Sequence, residues 1–134
     1  MNKIKILGIV GSLRQDSYNA FALKAAQALV PNDVALELID LHGIPLYSQD
    51  NEMSPPSAVQ ALKQRILDAD AILFATPEYN YSLPGALRNA INWASRPYGE
   101  TAWKGKPAAV MGASVGSLGT ARAQSHLRKM LVAL

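Results

Sequence analysis

The sequence predicts a doubly wound α/β domain built on a parallel sheet, and three observations support this fold class. Short apolar runs alternate along the chain with apolar stripes at helical spacing. Each run is close to continuously apolar, as parallel strands covered by helices on both faces are. The 134 residues are 49% hydrophobic and carry no repeat, low-complexity tract or linker, so they suit one core. We therefore expect a single domain over residues 1–134.

The predicted element order is β-α-β-α-β-α-β-α. The four strands cover residues 4–10, 34–39, 71–75 and 108–113. The four helices carry predicted core stripes at Ala22, Ala25, Ala26 and Leu29, at Val59, Leu62 and Ile66, at Leu87, Ile91 and Ala94, and at Leu127, Met130, Leu131 and Leu134. Right-handed crossovers in such a fold place ligands beyond the carboxyl ends of the strands. We therefore expect function in the loops after the first, third and fourth strands, and only edge or oligomer contacts in residues 40–57.

Composition narrows the possible functions. The net charge of +3 is spread along the chain rather than clustered on one element, which argues against nucleic-acid binding. No apolar run approaches the roughly 20 residues of a membrane span, and the N-terminus does not resemble a secretory signal, so we expect a cytoplasmic protein without membrane contact. Without cysteine, redox chemistry requires a cofactor. His42 and His126 have no neighbouring metal ligands, so we expect no metal site and structural or interface roles for both.

The loop after the first strand, residues 11–19, has the composition of an anion cradle. It leads directly into a helix, whose N-terminus presents free N–H groups and a partial positive charge. Arg14 adds a full charge, Ser12 and Ser17 add hydroxyl donors, and Asn19 adds an amide donor. The simpler alternative is that Ser17 only caps the helix and Arg14 is a surface residue.

The phosphate motifs of nucleoside triphosphate and dinucleotide sites are missing. The sequence has no G-x-x-x-x-G-K-[ST], and the pair Gly8 and Gly11 lacks the third glycine of G-x-G-x-x-G. A single phosphate held by hydroxyl groups suits a mononucleotide such as FMN, whose ring would extend toward the loop after the third strand.

That loop, residues 76–85, crowds rings, prolines and polar groups into one turn. Pro77 and Pro84 push the residues before them toward extended geometry, so we expect a backbone held open with unpaired N–H and C=O groups. The fourth strand is followed by residues 112–119, whose small residues allow backbone to approach a ring closely. Either segment is also compatible with an ordinary strand-to-helix connection.

Together these motifs resemble the NAD(P)H-dependent FMN reductases, the group that includes bacterial quinone, chromate and azo-dye reductases. The resemblance rests on Gly11-Ser12-Leu13-Arg14 with Ser17 and Asn19, on Pro77 to Gly85, and on Gly112 to Gly119 running into Arg122-Ala123-Gln124. It covers essentially the whole chain. It implies that the FMN phosphate and ring are bound by Ser12, Arg14, Ser17, Tyr18, Asn19, Pro77, Glu78, Tyr79, Asn80, Tyr81, Ser82 and Ser114. Glu78 has an alternative role, as a helix cap or a subunit contact.

The resemblance implies a flavodoxin-like three-layer α/β/α sandwich with the parallel sheet order 2-1-3-4. The family usually continues with a fifth strand and a final helix, so we expect the sequence to be part of a longer protein. The resemblance also implies hydride transfer from NADPH or NADH to bound FMN and then to a quinone, flavin, azo compound or chromate, in ping-pong fashion and without a catalytic residue from the protein. A homodimer or homotetramer is expected. The alternatives are a non-enzymatic electron carrier, which typically has an acidic face, and a flavin-free domain of the same fold.

Overall fold

Four parallel strands form the central sheet of this computed structural model, which describes residues 2–134. The strands are β1 (Ile4–Val10), β2 (Val34–Ile39), β3 (Ala71–Ala75) and β4 (Ala108–Met111), in the spatial order β2-β1-β3-β4. The helices are α1 (Tyr18–Leu29), α2 (Ser57–Asp68), α3 (Gly85–Ala94) and α4 (Ala121–Val132), and a 3₁₀ turn covers Gln49–Asn51. The predicted element order and sheet order are confirmed.

The helices divide unequally between the two faces of the sheet. Leu7 and Ile9 of β1 point into a large core shared with α2, α3 and α4, whereas Val10 packs with Leu23 of α1 on the other face. Because successive residues of a strand point to opposite faces, one short strand supports both cores. The result is the predicted flavodoxin-like three-layer sandwich, with α1 alone forming one outer layer.

The predicted core stripe of α1 is wrong at two of its four positions, because Ala25 and Leu29 are exposed while Ala22 and Ala26 are partly buried. Leu29 is 82% exposed, whereas Leu23 is fully buried and Asn19 is 2% exposed. The inward face therefore runs through Asn19 and Leu23, which are four residues apart, and misses the predicted positions 25 and 29. The pattern misled because the inward face begins with a polar residue whose amide is hydrogen-bonded. The stripes predicted for α2 and α3 are buried, and in α4 Leu127 is buried while the later positions are partly buried.

The fourth strand is two residues shorter than predicted. Pairing with β3 ends at Met111, whose carbonyl accepts from Thr76 N at 3.1 Å. Gly112 then turns so closely toward α4 that a Cβ atom on it would lie 1.9 Å from Thr120 Oγ1. Ala113 leaves the sheet and bonds the side chain of Asn19 instead. This departure brings the loop after β4 to the loop after β1.

The long connection between β2 and α2 lies along α3. The carbonyl of Pro45 accepts from Asn89 Nδ2 and Trp93 Nε1, both at 2.8 Å, and Tyr47 N donates to Asn89 Oδ1 at 2.8 Å. The rings of Tyr47 and Trp93 also meet edge to face, with centroids 5.2 Å apart. These contacts hold α3, whose first turn begins at the loop after β3. Within residues 2–134 every helix is too short or too polar to cross a bilayer.

Candidate functional site

Three loops meet at the carboxyl edge of the sheet, where the sequence predicts function. They enclose a cavity of about 150 Å³ whose walls include nine of the predicted site residues: Ser12, Arg14, Ser17, Tyr18, Asn19, Pro77, Glu78, Tyr79 and Ser114. A second, open cleft of about 470 Å³ lies next to it and is lined by Asn80 and Tyr81. Glu78 and Ser114 line both, so the two spaces are adjacent. Ser82, the remaining predicted residue, lines neither.

Gly11 brings the first loop close to β3. Its N–H donates to Ala75 O at 2.8 Å, and a Cβ atom at this position would lie 3.1 Å from the same oxygen. The following side chain, Ser12, is 4% exposed, and its Oγ accepts from Arg14 N at 3.1 Å. The loop is therefore folded back on itself immediately after the strand.

Ser17 is the N-cap of α1, as the simpler alternative predicted. Its Oγ accepts from Ala20 N at 3.3 Å, and the side chain is 2% exposed. A hydroxyl that accepts one N–H still has a proton to donate. The cap role and the predicted anion-binding role are therefore compatible.

The cavity presents backbone N–H groups that have no acceptor, and its arginine is not paired with a carboxylate. Between Ser12 and α1, the N–H groups of residues 13, 15 and 16 donate to no acceptor within residues 2–134. Arg14 forms no ion pair in the same part of the chain, and its guanidinium carbon lies 4.8 Å from the centre of the Tyr18 ring. Free N–H groups at a helix N-terminus beside an arginine fit a phosphate group.

Asn19 joins two of the loops. Its Nδ2 donates to Ala113 O at 3.2 Å, and its Oδ1 accepts from Ala113 N at 2.9 Å, with the side chain 2% exposed. One Nδ2 hydrogen is left for another partner. The observed role is thus to tie α1 to the loop after β4, and a contact with phosphate stays a prediction.

Residues 79–82 form a two-residue hairpin. Tyr79 N donates to Ser82 O at 3.1 Å, and Ser82 N donates to Tyr79 O at 3.0 Å. The two residues between them, Asn80 and Tyr81, have φ angles of 50° and 64°. The expectation of an open backbone is therefore only partly confirmed, because the ends of the turn pair with each other. The N–H groups of Asn80 and Tyr81 have no acceptor within residues 2–134.

Glu78 fulfils the alternative role of a helix cap. Its Oε1 accepts from Arg122 N at 2.8 Å and Ala123 N at 2.9 Å, in the first turn of α4. Its Oε2 lies 3.2 Å from Arg122 Nη1, and the side chain is only 11% exposed. The hydrogen bond from the Ala123 backbone is the main cause that lowers the pKa of Glu78, with Arg122 adding to it against the opposing effect of burial.

The loop after β4 forms the open wall of the second cleft. Ser114 Oγ accepts from Gly116 N at 3.0 Å, and Gly119 N donates to Gly116 O at 3.0 Å. Gly119 has a φ of 58°, which favours glycine. Val115 and Leu118 are 89% and 61% exposed; Leu118 lines the second cleft, and Val115 lines the smaller cavity.

Comparisons with known proteins decide the family. The model of the family described as NADPH-dependent FMN reductase matches residues 4–134. An NAD(P)H-dependent FMN reductase of Pseudomonas aeruginosa is 58% identical over 98% of this chain and 71% of the relative. A 2-hydroxy-1,4-benzoquinone reductase of a Burkholderia species is 53% identical over 93% of this chain and 68% of the relative. The chain belongs to the NADPH-dependent FMN reductase family.

A solved structure agrees with this assignment. The flavoenzyme NAD(P)H:(acceptor) oxidoreductase FerB of Paracoccus denitrificans superposes with a TM-score of 0.88 at 46% identity, over 96% of this chain and 71% of FerB. The predictions of an FMN-dependent oxidoreductase with NAD(P)H as co-substrate are confirmed. The individual residue roles within this FMN reductase are not tested by these comparisons.

Sequence reasoning missed two contributors to the FMN reductase site. Arg122 pairs with Glu78, and its guanidinium carbon lies 3.8 Å from the centre of the Tyr81 ring. His126, one turn later in α4, places Nδ1 2.9 Å from Ser82 Oγ. The signal was present in part, because the run Arg122-Ala123-Gln124 belongs to the family resemblance. Nothing in the pattern indicated which loop α4 would face.

The Glu78 cap predicts a loss of stability on acidification. The pKa of folded Glu78 lies below the ordinary value of 4.5. Its contribution to the free energy of unfolding is therefore fully present above that value and is lost as the pH falls through the lower folded-state pKa. Urea unfolding at a series of pH values should show the wild type losing stability relative to Glu78→Gln below about pH 4.5. A constant difference between the two proteins down to the acid limit would contradict this role.

Proposed function

We propose that the cavity between the three loops holds the phosphate of FMN. The supporting observation is the set of free N–H groups at residues 13, 15 and 16 beside Arg14, which has no ion pair in the described chain. Ser12 and Ser17 add hydroxyl donors from buried positions. Tyr18 supports the Arg14 guanidinium from below, and Asn19 keeps the cavity wall in place through Ala113.

The flavin ring then occupies the second, open cleft. This cleft is lined by Asn80 and Tyr81, whose N–H groups have no acceptor within residues 2–134, together with Glu78 and Ser114. Pro77 and Tyr79 line the smaller cavity, and Ser82 closes the hairpin that carries the two N–H groups. Backbone donors at the polar edge of the ring stabilise negative charge that develops there on reduction.

The chain positions the flavin and keeps it accessible to substrates, and the reaction requires no acid, base or nucleophile from the protein. Bound FMN supplies the redox chemistry, accepting a hydride from NADPH or NADH and passing electrons to the second substrate. The second cleft is open to solvent and is lined by the exposed side chain of Leu118, which leaves room for planar substrates. Because NAD(P)H and the electron acceptor must use the same open face of the flavin ring one after the other, we expect ping-pong kinetics. The acceptor class favoured by the names of the relatives is a quinone, with flavins, azo compounds and chromate as further candidates.

The family resemblance suggests the assembly, and the composition of the sequence suggests the location and the excluded partners. We expect one FMN-binding domain in a cytoplasmic homodimer or homotetramer, without nucleic acid, membrane or metal as a partner. The exposed apolar side chains beside the cleft suit a subunit contact there. A non-enzymatic electron carrier is less well supported, because the chain has a net charge of +3 and its relatives carry the names of reductases.

The phosphate assignment predicts a large loss of FMN affinity in the double variant Ser12→Ala/Arg14→Ala. Hydrogen bonds to a charged group contribute about 1.5–3 kcal/mol each, so the Kd for FMN should rise by at least about 100-fold. Quenching of FMN fluorescence on titration with protein measures this Kd.

The matched control is Ser125→Ala/Arg128→Ala, which removes the same two residue types from exposed positions on α4. Its Kd for FMN should stay within about twofold of the wild type. An unchanged Kd in the Ser12 and Arg14 variant would remove the phosphate assignment.

A further inference from the structure

The hairpin turn beside the flavin cleft is strained. Asn80 and Tyr81 both lie in the left-handed region, with φ angles of 50° and 64°. Two-residue hairpin turns of this kind favour asparagine at the first position and glycine at the second. Asparagine fits the rule, but a bulky side chain such as that of Tyr81 is disfavoured at positive φ. Contacts elsewhere must therefore hold Tyr81 in this conformation.

Those contacts come from α4. The Arg122 guanidinium carbon lies 3.8 Å from the centre of the Tyr81 ring, at a distance typical of a cation–π contact. The same guanidinium is held by Glu78, whose carboxylate also accepts the N–H groups of Arg122 and Ala123. A closed chain of contacts thus runs from Glu78 through Arg122 to Tyr81, and we call these three residues the brace.

The far end of the turn has a weaker tie to the same helix. Ser82 Oγ lies 2.9 Å from His126 Nδ1, and His126 is exposed, whereas the Glu78 side chain is only 11% exposed. The two ties leave the N–H groups of Asn80 and Tyr81 as the unpaired donors of the turn within residues 2–134. Their direction depends on the left-handed backbone, because the dihedral angles of Asn80 and Tyr81 together orient these two peptide planes relative to the paired ends of the turn.

We propose that Glu78 and Arg122 are positioning residues for the flavin, which hold Tyr81 in its left-handed conformation so that the turn presents its two N–H groups to the cleft. This inference rests on the proposed FMN site. The brace acts through the backbone of residues 80 and 81, and Arg122 serves as the link because its planar cation both stacks on a ring and pairs with a carboxylate.

The strained backbone of Tyr81 allows a specific test of the role of Arg122. Arg122→Ala removes the stacking partner, and the left-handed conformation of Tyr81 then lacks its support, so the Kd for FMN should rise by about tenfold. Tyr81→Gly adopts the same φ without strain. In the double variant Arg122→Ala/Tyr81→Gly, the Kd for FMN should return to within about threefold of that of Tyr81→Gly alone. If Arg122 only stabilised α4, Tyr81→Gly would not restore the FMN affinity that Arg122→Ala removes.

A second readout needs no flavin. Ser82 N donates to Tyr79 O within the turn, so its hydrogen exchange, followed by NMR in FMN-free protein, reports whether the turn is formed. Exchange of this amide should be faster in Arg122→Ala and slow again in Arg122→Ala/Tyr81→Gly. Arg128→Ala, on the exposed face of the same helix, should leave both readouts unchanged.

The outcomes separate the two proposals. Unchanged FMN affinity and exchange in Arg122→Ala, or a loss of affinity that Tyr81→Gly fails to restore, would overturn the brace. A wild-type protein that binds no FMN would instead refute the proposed site. In that case the exchange measurements alone would support or refute the brace as the support of the turn.

Discussion

Replacing Gly112 by alanine is expected to lower the free energy of unfolding by about 1–3 kcal/mol and to raise the Kd for FMN by roughly tenfold. A Cβ atom at this position would lie 1.9 Å from Thr120 Oγ1 and 2.8 Å from Thr120 Cβ. Rotation of the threonine side chain does not move its Cβ, and Thr120 is 3% exposed and accepts from Gln124 Nε2 at 2.9 Å. The backbone must therefore shift, and it carries Ala113 and Ser114 of the cavity wall with it. Urea unfolding and FMN titration measure the two effects.

The chain offers a matched control in the same loop. A Cβ atom on Gly116 would meet only Ser114 Oγ at 3.5 Å, an ordinary contact, so Gly116→Ala should change stability by less than about 0.5 kcal/mol. Thr120→Ala in the Gly112→Ala background removes the nearest clash and should restore part of the lost stability. If Gly112→Ala is as stable as Gly116→Ala, the close packing between this strand end and α4 is not a constraint.

Asn19→Leu is expected to destabilise the fold by about 1–3 kcal/mol and to raise the Kd for FMN by about tenfold. Leucine has a similar size but leaves the N–H and C=O of Ala113 without the partners they have in Asn19. The loop after β4 is then no longer tied to α1, and the cavity between them widens. Thermal unfolding followed by circular dichroism gives the first effect, and fluorescence titration with FMN gives the second.

Gln27→Leu separates the two effects. Gln27 Nε2 donates to Leu36 O at 2.7 Å, so this variant also removes a hydrogen bond between an α1 side chain and a backbone carbonyl, but at the β2 edge of the sheet. It should lower stability by about 1 kcal/mol and leave the Kd for FMN unchanged. Equal effects of both variants on FMN binding would show that Asn19 acts only through stability.

The predictable parts of the fold are those that depend on local pattern. The first three strands begin and end at the predicted residues, because each is a short apolar run bounded by polar or turn-forming residues. The end of β4 was not predictable, since Gly112 and Ala113 continue the small, apolar pattern. What removes them from the sheet is contact with Thr120 and Asn19, residues that are close only in the folded chain.

The candidate site likewise has a part that local sequence pattern predicts and a part that it does not. The anion cradle was predictable because a strand, a polar loop and a helix N-terminus follow one another in sequence. The cap formed by Glu78 and the stacking of Arg122 on Tyr81 join residues about 40 positions apart, and no local pattern indicates them. The left-handed conformation of Tyr81 also has no sequence signal, because such positions are usually occupied by glycine.

Binding of FMN by this chain and reduction of the bound flavin by NAD(P)H can be followed in one cuvette. The measurement is the visible absorption spectrum of the purified protein mixed with FMN, recorded before and after anaerobic addition of NADPH and again after a benzoquinone. We expect a flavin spectrum altered by binding, which bleaches with NADPH and returns with the quinone. Bound flavin that NADPH does not bleach would indicate an electron carrier instead, and the absence of any flavin binding would contradict the proposed site itself.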